Sequence, residues 1–331
     1  MKKVIVTGGA GFIGSEFVRQ AVQKKYTIDV IDSISYAGDK ARLKAAGQQI
    51  RFHKINITHA AAVHAAFNAI RPDIVVHFAA ETHVDRSILD GQVFLKTNIL
   101  GTQILLEAAR VHGIKKFVHI STDEVYGDVV KGSSVETSAF LPNSPYSVSK
   151  ASADQLVSAY ARTYQLPVNI IRASNNYGPW QYPEKLVPVV IYKALNNEKV
   201  PVYAKGLNIR EWLFVGDCCR GVMAVMEKGR QGEAYNISSG MHRRNIDVVK
   251  AILKTLKRPE GLIEFVADRP GHDFRYSISC AKARRELGYK PEYDFERGLA
   301  ETVAWYVDNR RWLDQKVKYL KAYWAKVYKK A

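Results

Sequence analysis

The feature that most restricts the fold is a glycine-rich turn, TGGAGFIG, between an apolar run and a helical stretch. The run Val4–Thr7 is typical of a buried strand, and Phe12–Lys24 is typical of a helix. Gly8 permits a tight turn, Gly11 lets the backbone approach a pyrophosphate, and Gly14 allows close packing of the helix on the strand. The free N–H groups and the dipole of the helix N-terminus favour phosphate binding there.

An acidic residue at the end of the second predicted strand, Ile28–Asp32, strengthens this interpretation. Asp32 stands 18 residues after Gly14. Its carboxylate can accept hydrogen bonds from a ribose diol and would repel a 2′-phosphate. A glycine motif alone is weak evidence, but here the strand, the helix and the acid agree. The sequence therefore predicts a dinucleotide site that takes NAD rather than NADP, and not a glycine turn without a ligand.

The first half of the chain alternates short β-rich runs with helical stretches, which favours an α/β fold with a Rossmann-type doubly wound parallel sheet. The predicted strands are Val4–Thr7, Ile28–Asp32, Ile50–Ile55, Ile74–Phe78, Phe117–Ser121 and Val168–Arg172, and the predicted helices are Phe12–Lys24, Gly101–His112 and Ala151–Tyr164.

Beyond residue 175 the alternation gives way to proline, aromatic residues and short mixed elements. We expect residues 1–174 to form an NAD-binding Rossmann domain. Residues 175–331 then form mainly a smaller C-terminal substrate-binding lobe and a basic tail, with Trp212–Val215 and Ala234–Ile237 returning to the main sheet. Ligands of such sheets bind at the carboxyl ends of the strands, so the lobe should close over that edge.

Tyr146 and Lys150 are four residues apart and share one face of a helix. A phenol is a poor base at neutral pH, but an ammonium group and an oxidised nicotinamide beside it lower its pKa. Tyr146 could then take a proton from a substrate hydroxyl while hydride passes to NAD. Such a pair is common by chance, and it gains meaning here because it follows the glycine turn.

The chain has a net charge of +17, and residues 305–331 carry eight Lys or Arg against two Asp. This field would attract an anionic substrate. It would also suit a nucleotide-binding scaffold or a nucleic-acid partner, but no nucleic-acid motif supports that interpretation, and the tail can equally be a solvated basic helix.

No run of about 18 apolar residues indicates a membrane span. No signal peptide is visible, and Cys218, Cys219 and Cys280 fit neither a complete disulfide set nor a metal site, so we expect a cytoplasmic protein without metal.

Over essentially its whole length the chain resembles the extended short-chain dehydrogenase/reductase family. Within that family it is similar to the nucleotide-sugar 4,6-dehydratases. The matching segments are Ser121–Gly127 (STDEVYG), Ala79–Ser87 (AAETHVDRS), Ser174–Pro179 (SNNYGP), Pro183–Leu186 (PEKL) and Arg269–Asp273 (RPGHD). Several matched segments together are far more specific than a cofactor motif alone.

The resemblance implies a lyase that uses NAD to convert dTDP-glucose to dTDP-4-keto-6-deoxyglucose. Its steps are oxidation at C4, loss of water across C5 and C6, and hydride return to C6. Tyr146, Lys150 and Thr122 would serve the oxidation, Glu124 would be the base at C5, and Asp123 the acid at C6. Two adjacent carboxyl groups can divide these roles if their environments separate their pKa values.

The resemblance also implies the binding residues. Those for NAD are Gly8, Gly11, Phe12, Ile13, Gly14, Asp32, Asn56, Ile57, Ala79, Ala80, Thr97, Tyr146, Lys150 and Asn176. Those for the nucleotide-diphosphate hexose are Thr82, Thr122, Asn175, Lys185, Leu186, Pro201, Tyr203, Arg210, Asn245, Arg269 and His272. Among them a guanidinium such as Arg210 suits a diphosphate, although it could instead pair with Glu211 or Asp217.

The chain departs from the family pattern at three places: one lies near the adenine, at Asn56, and two lie near the nucleotide side of the pocket, at Phe274 and Ser238–Arg244, and leave the base open. Asn56 stands where an Asp is usual, Phe274 where a basic residue is usual, and Ser238–Arg244 replaces a more regular stretch. UDP-glucose is therefore the alternative substrate. A 4-epimerase or decarboxylase of the same fold is the alternative activity, disfavoured because epimerases usually lack the Asp-Glu pair. The resemblance further implies a homodimer joined through the helices near Gly101–His112 and Ala151–Tyr164.

Overall fold

The structure is a computed structural model that describes residues 2–328. Its strands are β1 (Lys3–Thr7), β2 (Thr27–Asp32), β3 (Ile50–Lys54), β4 (Ile74–His77), β5 (Lys116–Thr122), β6 (Val168–Ala173), β7 (Asn175–Tyr177), β8 (Val200–Tyr203), β9 (Ile209–Phe214), β10 (Ala234–Ile237), β11 (His242–Arg244) and β12 (Ile263–Val266).

Seven of these strands form one parallel sheet in the order β10-β6-β5-β4-β1-β2-β3. The chain fills one side of β1 first and then crosses to β4 and fills the other side. The strand order therefore reverses between β1 and β4, which is where a doubly wound sheet opens a ligand crevice. The predicted Rossmann-type sheet is confirmed.

The helices are α1 (Phe12–Gln23), α2 (Ala60–Ile70), α3 (Val84–Leu89), α4 (Gln92–Phe94), α5 (Gly101–Val111), α6 (Pro145–Tyr164), α7 (Leu186–Leu195), α8 (Val215–Lys228), α9 (Asn245–Thr255), α10 (Ala281–Leu287), α11 (Phe295–Asp308), α12 (Arg310–Lys318) and α13 (Lys321–Val327). Shorter-pitch turns cover Lys40–Gln49, Asp123–Tyr126 and Glu260–Leu262, and the wide turn Leu95–Leu100 joins α4 to α5.

Two details of the predicted elements need correction. Trp212–Val215 does not return to the main sheet, because β9 pairs with β7 and β11 in a separate three-stranded sheet, whereas Ala234–Ile237 does return as β10. Helix α6 begins at Pro145 rather than at Ala151. The Ser144 side chain accepts from the Ser147 amide and a proline occupies the first turn, so the helix starts before the reactive tyrosine.

The second lobe has its own apolar core, and the basic tail belongs to it. Leu313, Val317 and Trp324 of α12 and α13 are buried in that core. Trp312 Nε1 and Lys316 Nζ also contact Asp39 Oδ2 at 2.8 and 2.7 Å, which ties α12 to the loop after β2. Within residues 305–328, most charged side chains of the tail therefore face outward, while the opposite face packs against the lobe. No helix within residues 2–328 is long and apolar enough to cross a membrane.

Candidate active site

A cavity of about 560 Å³ lies between the carboxyl edge of the main sheet and the second lobe. Every residue that the sequence suggested for the cofactor, the substrate or the catalytic steps lines this cavity. The segments come from the ends of β1, β2, β4, β5 and β6 and from the second lobe, so the fold alone brings them together. This single space has the size expected of a ligand pocket.

The glycine turn after β1 is shaped for close approach. Gly8 has φ +69°, a conformation that favours glycine, and a Cβ there would lie 2.6 Å from the Ala79 nitrogen. A Cβ on Gly14 would collide with the carbonyl oxygen of Gly8. Gly11 precedes α1 and provides no side-chain cap, so the first N–H groups of the helix are available to an anion.

Asp32 ends β2 beside this turn and is largely buried. Its Oδ2 accepts the Ala10 amide at 2.9 Å and its Oδ1 accepts the Ile34 amide at 2.8 Å. Burial raises the pKa of this carboxyl, and the two amide hydrogen bonds oppose the rise. The carboxylate is thus fixed at the edge of the cavity, where a ribose hydroxyl could donate to its free lone pairs.

Asn56 follows β3 on the same side of the cavity. Its Oδ1 accepts from both the amide and the hydroxyl of Thr58 at 3.0 Å, which makes a local turn. The side chain at this position is therefore engaged with its own backbone region, and its amide nitrogen is the group left for a ligand. The neighbouring Ile57 is buried against Gly101, where a Cβ would lie 2.6 Å from its Cδ1.

Tyr146 and Lys150 lie on the cavity side of α6, and both are almost fully buried. Burial raises the pKa of the Tyr146 phenol, and the Thr122 hydroxyl opposes that rise. Lys150 Nζ donates to the Ile120 carbonyl at 2.7 Å. Burial lowers the pKa of Lys150 to about 8, against the attraction of Asp154. Burial therefore disfavours the phenolate in the ligand-free site, and a further positive charge bound in the cavity would favour it.

Asp123 and Glu124 open the short turn after β5. The Thr122 hydroxyl donates to Asp123 Oδ1 and accepts from the Glu124 amide, each at 3.2 Å, so one side chain orients both acids. Burial and the neighbouring Glu124 and Glu211 raise the pKa of Asp123 well above its usual range. Burial raises the pKa of Glu124 as well, but a set of cations opposes it, namely Arg269, Lys185 and Arg210. The site therefore favours the protonated form of Asp123 more strongly than that of Glu124.

The second lobe supplies cations to the far end of the cavity. Arg210 is held by the carbonyl oxygens of Ile209 and Asp273 at 2.8 and 2.9 Å and lies over the Tyr276 ring at 4.2 Å. It pairs with neither Glu211 nor Asp217, the alternatives that the sequence left open. Lys185 Nζ donates to the Thr82 carbonyl at 2.9 Å. These cations suit a diphosphate.

His272 and Tyr203 form the wall next to these cations. His272 Nδ1 lies 2.6 Å from Asp268 Oδ1, while burial and Arg269 lower the pKa of this imidazole to about 4. The Tyr203 and His272 rings meet edge to face, with centroids 6.1 Å apart. This wall is thus a neutral aromatic surface on which a base could pack.

Many buried polar atoms on the cavity wall have no hydrogen-bond partner within residues 2–328. They are Ser121 Oγ, Asp123 Oδ2, Ser174 Oγ, Asn175 Oδ1, Asn176 Oδ1, Gln181 Oε1, Trp212 Nε1, Asn245 Oδ1 and Arg269 Nε. Buried polar groups in proteins are normally satisfied, so this concentration indicates a site shaped for a polar ligand. Together with the glycine turn and Asp32, it fits a dinucleotide and a nucleotide sugar.

Several residues of this site were not singled out from the sequence. Asp85 accepts from Tyr203 at 3.0 Å and from Arg269 at 3.4 Å, and Glu184 accepts from Tyr36 and Arg86 at 2.9 and 2.8 Å. Asp85 and Glu184 stand inside matched segments, so the segments themselves were the signal. Tyr276 and Tyr328 also line the cavity. They lie outside the matched segments, so the sequence gave no indication that they belong to the site.

The departures from the family pattern have unequal consequences. Phe274 is 46% exposed and is absent from the cavity wall, although its carbonyl oxygen helps to hold Arg210 at 3.2 Å. Within Ser238–Arg244, Gly240 donates its amide to Glu211 and Ser239 donates to the Trp212 carbonyl. The altered stretch thus supports β9 from behind, and its side chains do not line the cavity.

Comparison with known proteins identifies the family. The model described as GDP-mannose 4,6 dehydratase matches residues 5–302. A dTDP-glucose 4,6-dehydratase of Neisseria meningitidis serogroup B is 46% identical, with 94% of this chain and 95% of that protein aligned.

Solved structures of similar proteins support the same family. DesIV, a dTDP-glucose 4,6-dehydratase from Streptomyces venezuelae crystallised with NAD, superposes with a TM-score of 0.92 at 45% identity, covering 95% of this chain and 99% of that one. A Thermus thermophilus UDP-glucose 4-epimerase in complex with NAD has a TM-score of 0.87 at 29% identity, covering 92% and 99%. Since the family model spans most of the chain and close relatives align along almost all of it, the chain belongs to the GDP-mannose 4,6 dehydratase family.

Proposed function

We propose that this protein is a dTDP-glucose 4,6-dehydratase that converts its substrate to dTDP-4-keto-6-deoxyglucose. The observation that carries the proposal is the placement of two chemical pairs on one cavity wall: Tyr146 with Lys150, and Asp123 with Glu124. The first pair suits oxidation of a hydroxyl, and the second suits elimination next to the resulting ketone. The identity to curated dTDP-glucose 4,6-dehydratases supports both the reaction and the thymine nucleotide.

NAD, when bound in the glycine turn, supplies the acceptor for hydride from C4 and the donor of hydride to C6. Tyr146 takes the proton of the C4 hydroxyl, and Lys150 together with the positive nicotinamide stabilises the phenolate. Glu124 then removes the C5 proton, which the C4 ketone has made acidic. Asp123 donates its proton to the C6 hydroxyl as it leaves as water.

The charges around the two carboxyl groups support this division of roles. Asp123 is buried beside two other carboxylates, so it holds its proton and can act as an acid. Glu124 has the cations of the second lobe nearby, so it ionises more readily and can act as a base. Two carboxyl groups in separated environments are the usual arrangement for paired acid and base catalysis.

Turnover of dTDP-glucose tests the proposal. Purified protein is incubated with dTDP-glucose or with UDP-glucose, and the mass of each nucleotide sugar and the alkali-induced absorbance of a 4-keto sugar are followed. We expect the loss of one water from dTDP-glucose with no net NADH, and a slower reaction with UDP-glucose. Glu124→Gln is the control that should stop water loss. An unchanged mass accompanied by a changed C4 configuration would instead indicate an epimerase.

The assembly is part of the proposal. Helices α5 and α6 pack against each other, and they leave Val111, Val148 and Tyr164 between 42% and 57% exposed. Exposed apolar side chains are available to a partner, and we propose a homodimer through α5 and α6, as the family resemblance implies. A monomer mass in light scattering at micromolar concentration would contradict it.

Two further sequence expectations stay proposals. We keep the division into an NAD-binding part, residues 1–174, and a mainly substrate-binding part, residues 175–331, with β10 inserted into the first. A cytoplasmic location is supported by the free and buried state of Cys218, Cys219 and Cys280, because a reducing compartment keeps thiols unpaired.

A further inference from the structure

A row of charged and polar side chains begins at Lys150 and continues behind the Tyr146–Lys150 pair, and its members beyond Lys150 have no part in the reaction proposed above. It consists of Lys150, His119 on β5, Asp154 on α6 and Arg172 on β6, and we call it the buried charge row. All four residues are at most 5% exposed. Asp154 is four residues after Lys150, so it shares the face of α6 that carries the reactive pair.

The distances make His119 a bridge between a cation and an anion. Its Nε2 lies 3.5 Å from Lys150 Nζ and 3.5 Å from Asp154 Oδ1. On the far side, Arg172 Nε donates to Asp154 Oδ2 at 2.8 Å. His119 Nδ1 has no hydrogen-bond partner in the part of the chain that the structure describes. Depending on its tautomer, His119 Nε2 can accept from Lys150 or lie with its N–H toward Asp154, so the imidazole separates the two charges.

One charge of the row, that of Asp154, favours the protonated form of Lys150. Burial and Lys150 itself lower the pKa of His119 to about 4, so the imidazole is neutral during turnover. Burial lowers the pKa of Lys150 to about 8, and Asp154 is the charged neighbour that opposes this. A buried carboxylate near a buried ammonium favours the charged form of both. Without Asp154, more of the lysine would lose its proton near neutral pH.

We propose that Asp154 is a positioning residue that keeps Lys150 protonated, with His119 as the spacer between them, and thereby holds Tyr146 ready to take the C4 hydroxyl proton. The effect on turnover rests on the proposed function, because it concerns the oxidation step. The effect on the lysine itself does not, since it depends only on the arrangement of the row.

Other titratable groups face the same region and must be considered in a pH study. They come from every element packed around the lysine: Tyr146 on α6, His77 on β4, Asp123 and Glu124 after β5, and Arg172 on β6. Asp154→Asn replaces none of these groups. A change in the pKa of Lys150 that accompanies loss of the Asp154 charge can therefore be attributed to Asp154.

Asp154→Asn tests the proposal, because it removes the charge and keeps an oxygen for Arg172. The carboxylate lies at most twice 3.5 Å from the ammonium. At an effective dielectric constant of about 20, its loss should lower the pKa of Lys150 on the order of one pH unit. We expect the alkaline limb of the kcat/KM profile, near pH 8 in the wild type, to move down by that amount. Asp308→Asn, at an exposed position at the end of α11, is the matched control and should leave the limb in place.

The second readout needs no turnover. Competitive acetylation of the lysines with acetic anhydride across pH, followed by peptide mass spectrometry, gives the pKa of Lys150 in the NAD-free protein. The pKa of Lys150 should fall by the same amount in Asp154→Asn and should stay at its wild-type value in Asp308→Asn. Wild-type protein that fails to convert dTDP-glucose would refute the proposed function, while this labelling result would still decide the role of Asp154.

Asp154→Asn leaves Arg172 buried without a counter-charge and could unfold the protein. The double variant Asp154→Asn/Arg172→Gln removes both charges. It should still lower the pKa of Lys150, because Asp154 favours the charged lysine, but by less than Asp154→Asn does, since loss of the Arg172 cation acts in the opposite direction. A Lys150 pKa within about 0.3 unit of the wild type in whichever variant folds, with activity reduced equally at every pH, would overturn the proposal.

Discussion

Replacing Asp123 with asparagine should separate the two halves of the elimination. Asp123 Oδ1 accepts from Thr122 at 3.2 Å, and an amide oxygen can accept the same bond. Burial and acidic neighbours hold the pKa of Asp123 well above its usual range, which favours the neutral side chain in the folded protein. The substitution therefore deletes a proton donor without deleting a charge, and the fold should tolerate it.

The expected loss follows from the role of a general acid. Such groups contribute about 10²- to 10⁴-fold, so the rate of water loss should fall by that factor, or about 3 to 5 kcal/mol in the barrier. Glu124 is untouched and can still remove the C5 proton from the ketone. In deuterated water, Asp123→Asn should therefore return dTDP-glucose that carries deuterium at C5.

Two matched variants complete the assay, which follows water loss and C5 exchange by mass spectrometry and NMR. Glu124→Gln should show neither exchange nor water loss, because the base is gone. Tyr146→Phe should also show neither, because no ketone forms. Exchange that disappears in Asp123→Asn but persists in Glu124→Gln would reverse the two roles. Water loss in Asp123→Asn at more than about a tenth of the wild-type rate would refute the acid role.

Three further changes test the binding site. Gly14→Ala places a Cβ against the Gly8 carbonyl oxygen and 3.1 Å from Gly9 Cα. The affinity for NAD, measured by calorimetry, should therefore fall at least about tenfold. Gly261→Ala is the control and should leave this affinity unchanged, because a Cβ there has no heavy atom within 4 Å. Asp32→Asn removes the charge that repels a 2′-phosphate, so the ratio of NADP to NAD affinity should rise; an unchanged ratio would contradict the role of Asp32. Arg210→Lys keeps the charge but loses the planar fork held by the Ile209 and Asp273 carbonyls, so KM for the nucleotide sugar should rise about tenfold, and an unchanged KM would place the diphosphate elsewhere.

The parts of the fold that the sequence predicted well are those set by local pattern. Strands such as Val4–Thr7 and Phe117–Ser121 are mostly apolar runs without charged residues because parallel strands are covered on both faces, and the glycine turn marks the first crossover. The same reasoning failed for Trp212–Val215. Its apolar residues predict burial correctly, but the choice between the main sheet and the small sheet depends on β7 and β11, which are only three residues long.

The site was predictable where its residues sit in matched segments and unpredictable where it depends on tertiary neighbours. Asp123 and Glu124 stand in such a segment, yet the cations that separate their pKa values come from three distant stretches. His119 and Asp154 are 35 residues apart, and only the packing of α6 on β5 brings them together. In the tail, the dense charge conceals Trp312 and Trp324, which pack inward.

The most direct test of the account follows the hydrogen that leaves C4. Purified protein is given dTDP-glucose deuterated at C4, and the product is analysed by NMR and mass spectrometry. If Tyr146 and bound NAD oxidise C4, and the same hydride returns after elimination, the product carries the deuterium at C6 and no NADH accumulates. Deuterium retained at C4, or NADH released in proportion to product, would contradict the dehydratase mechanism.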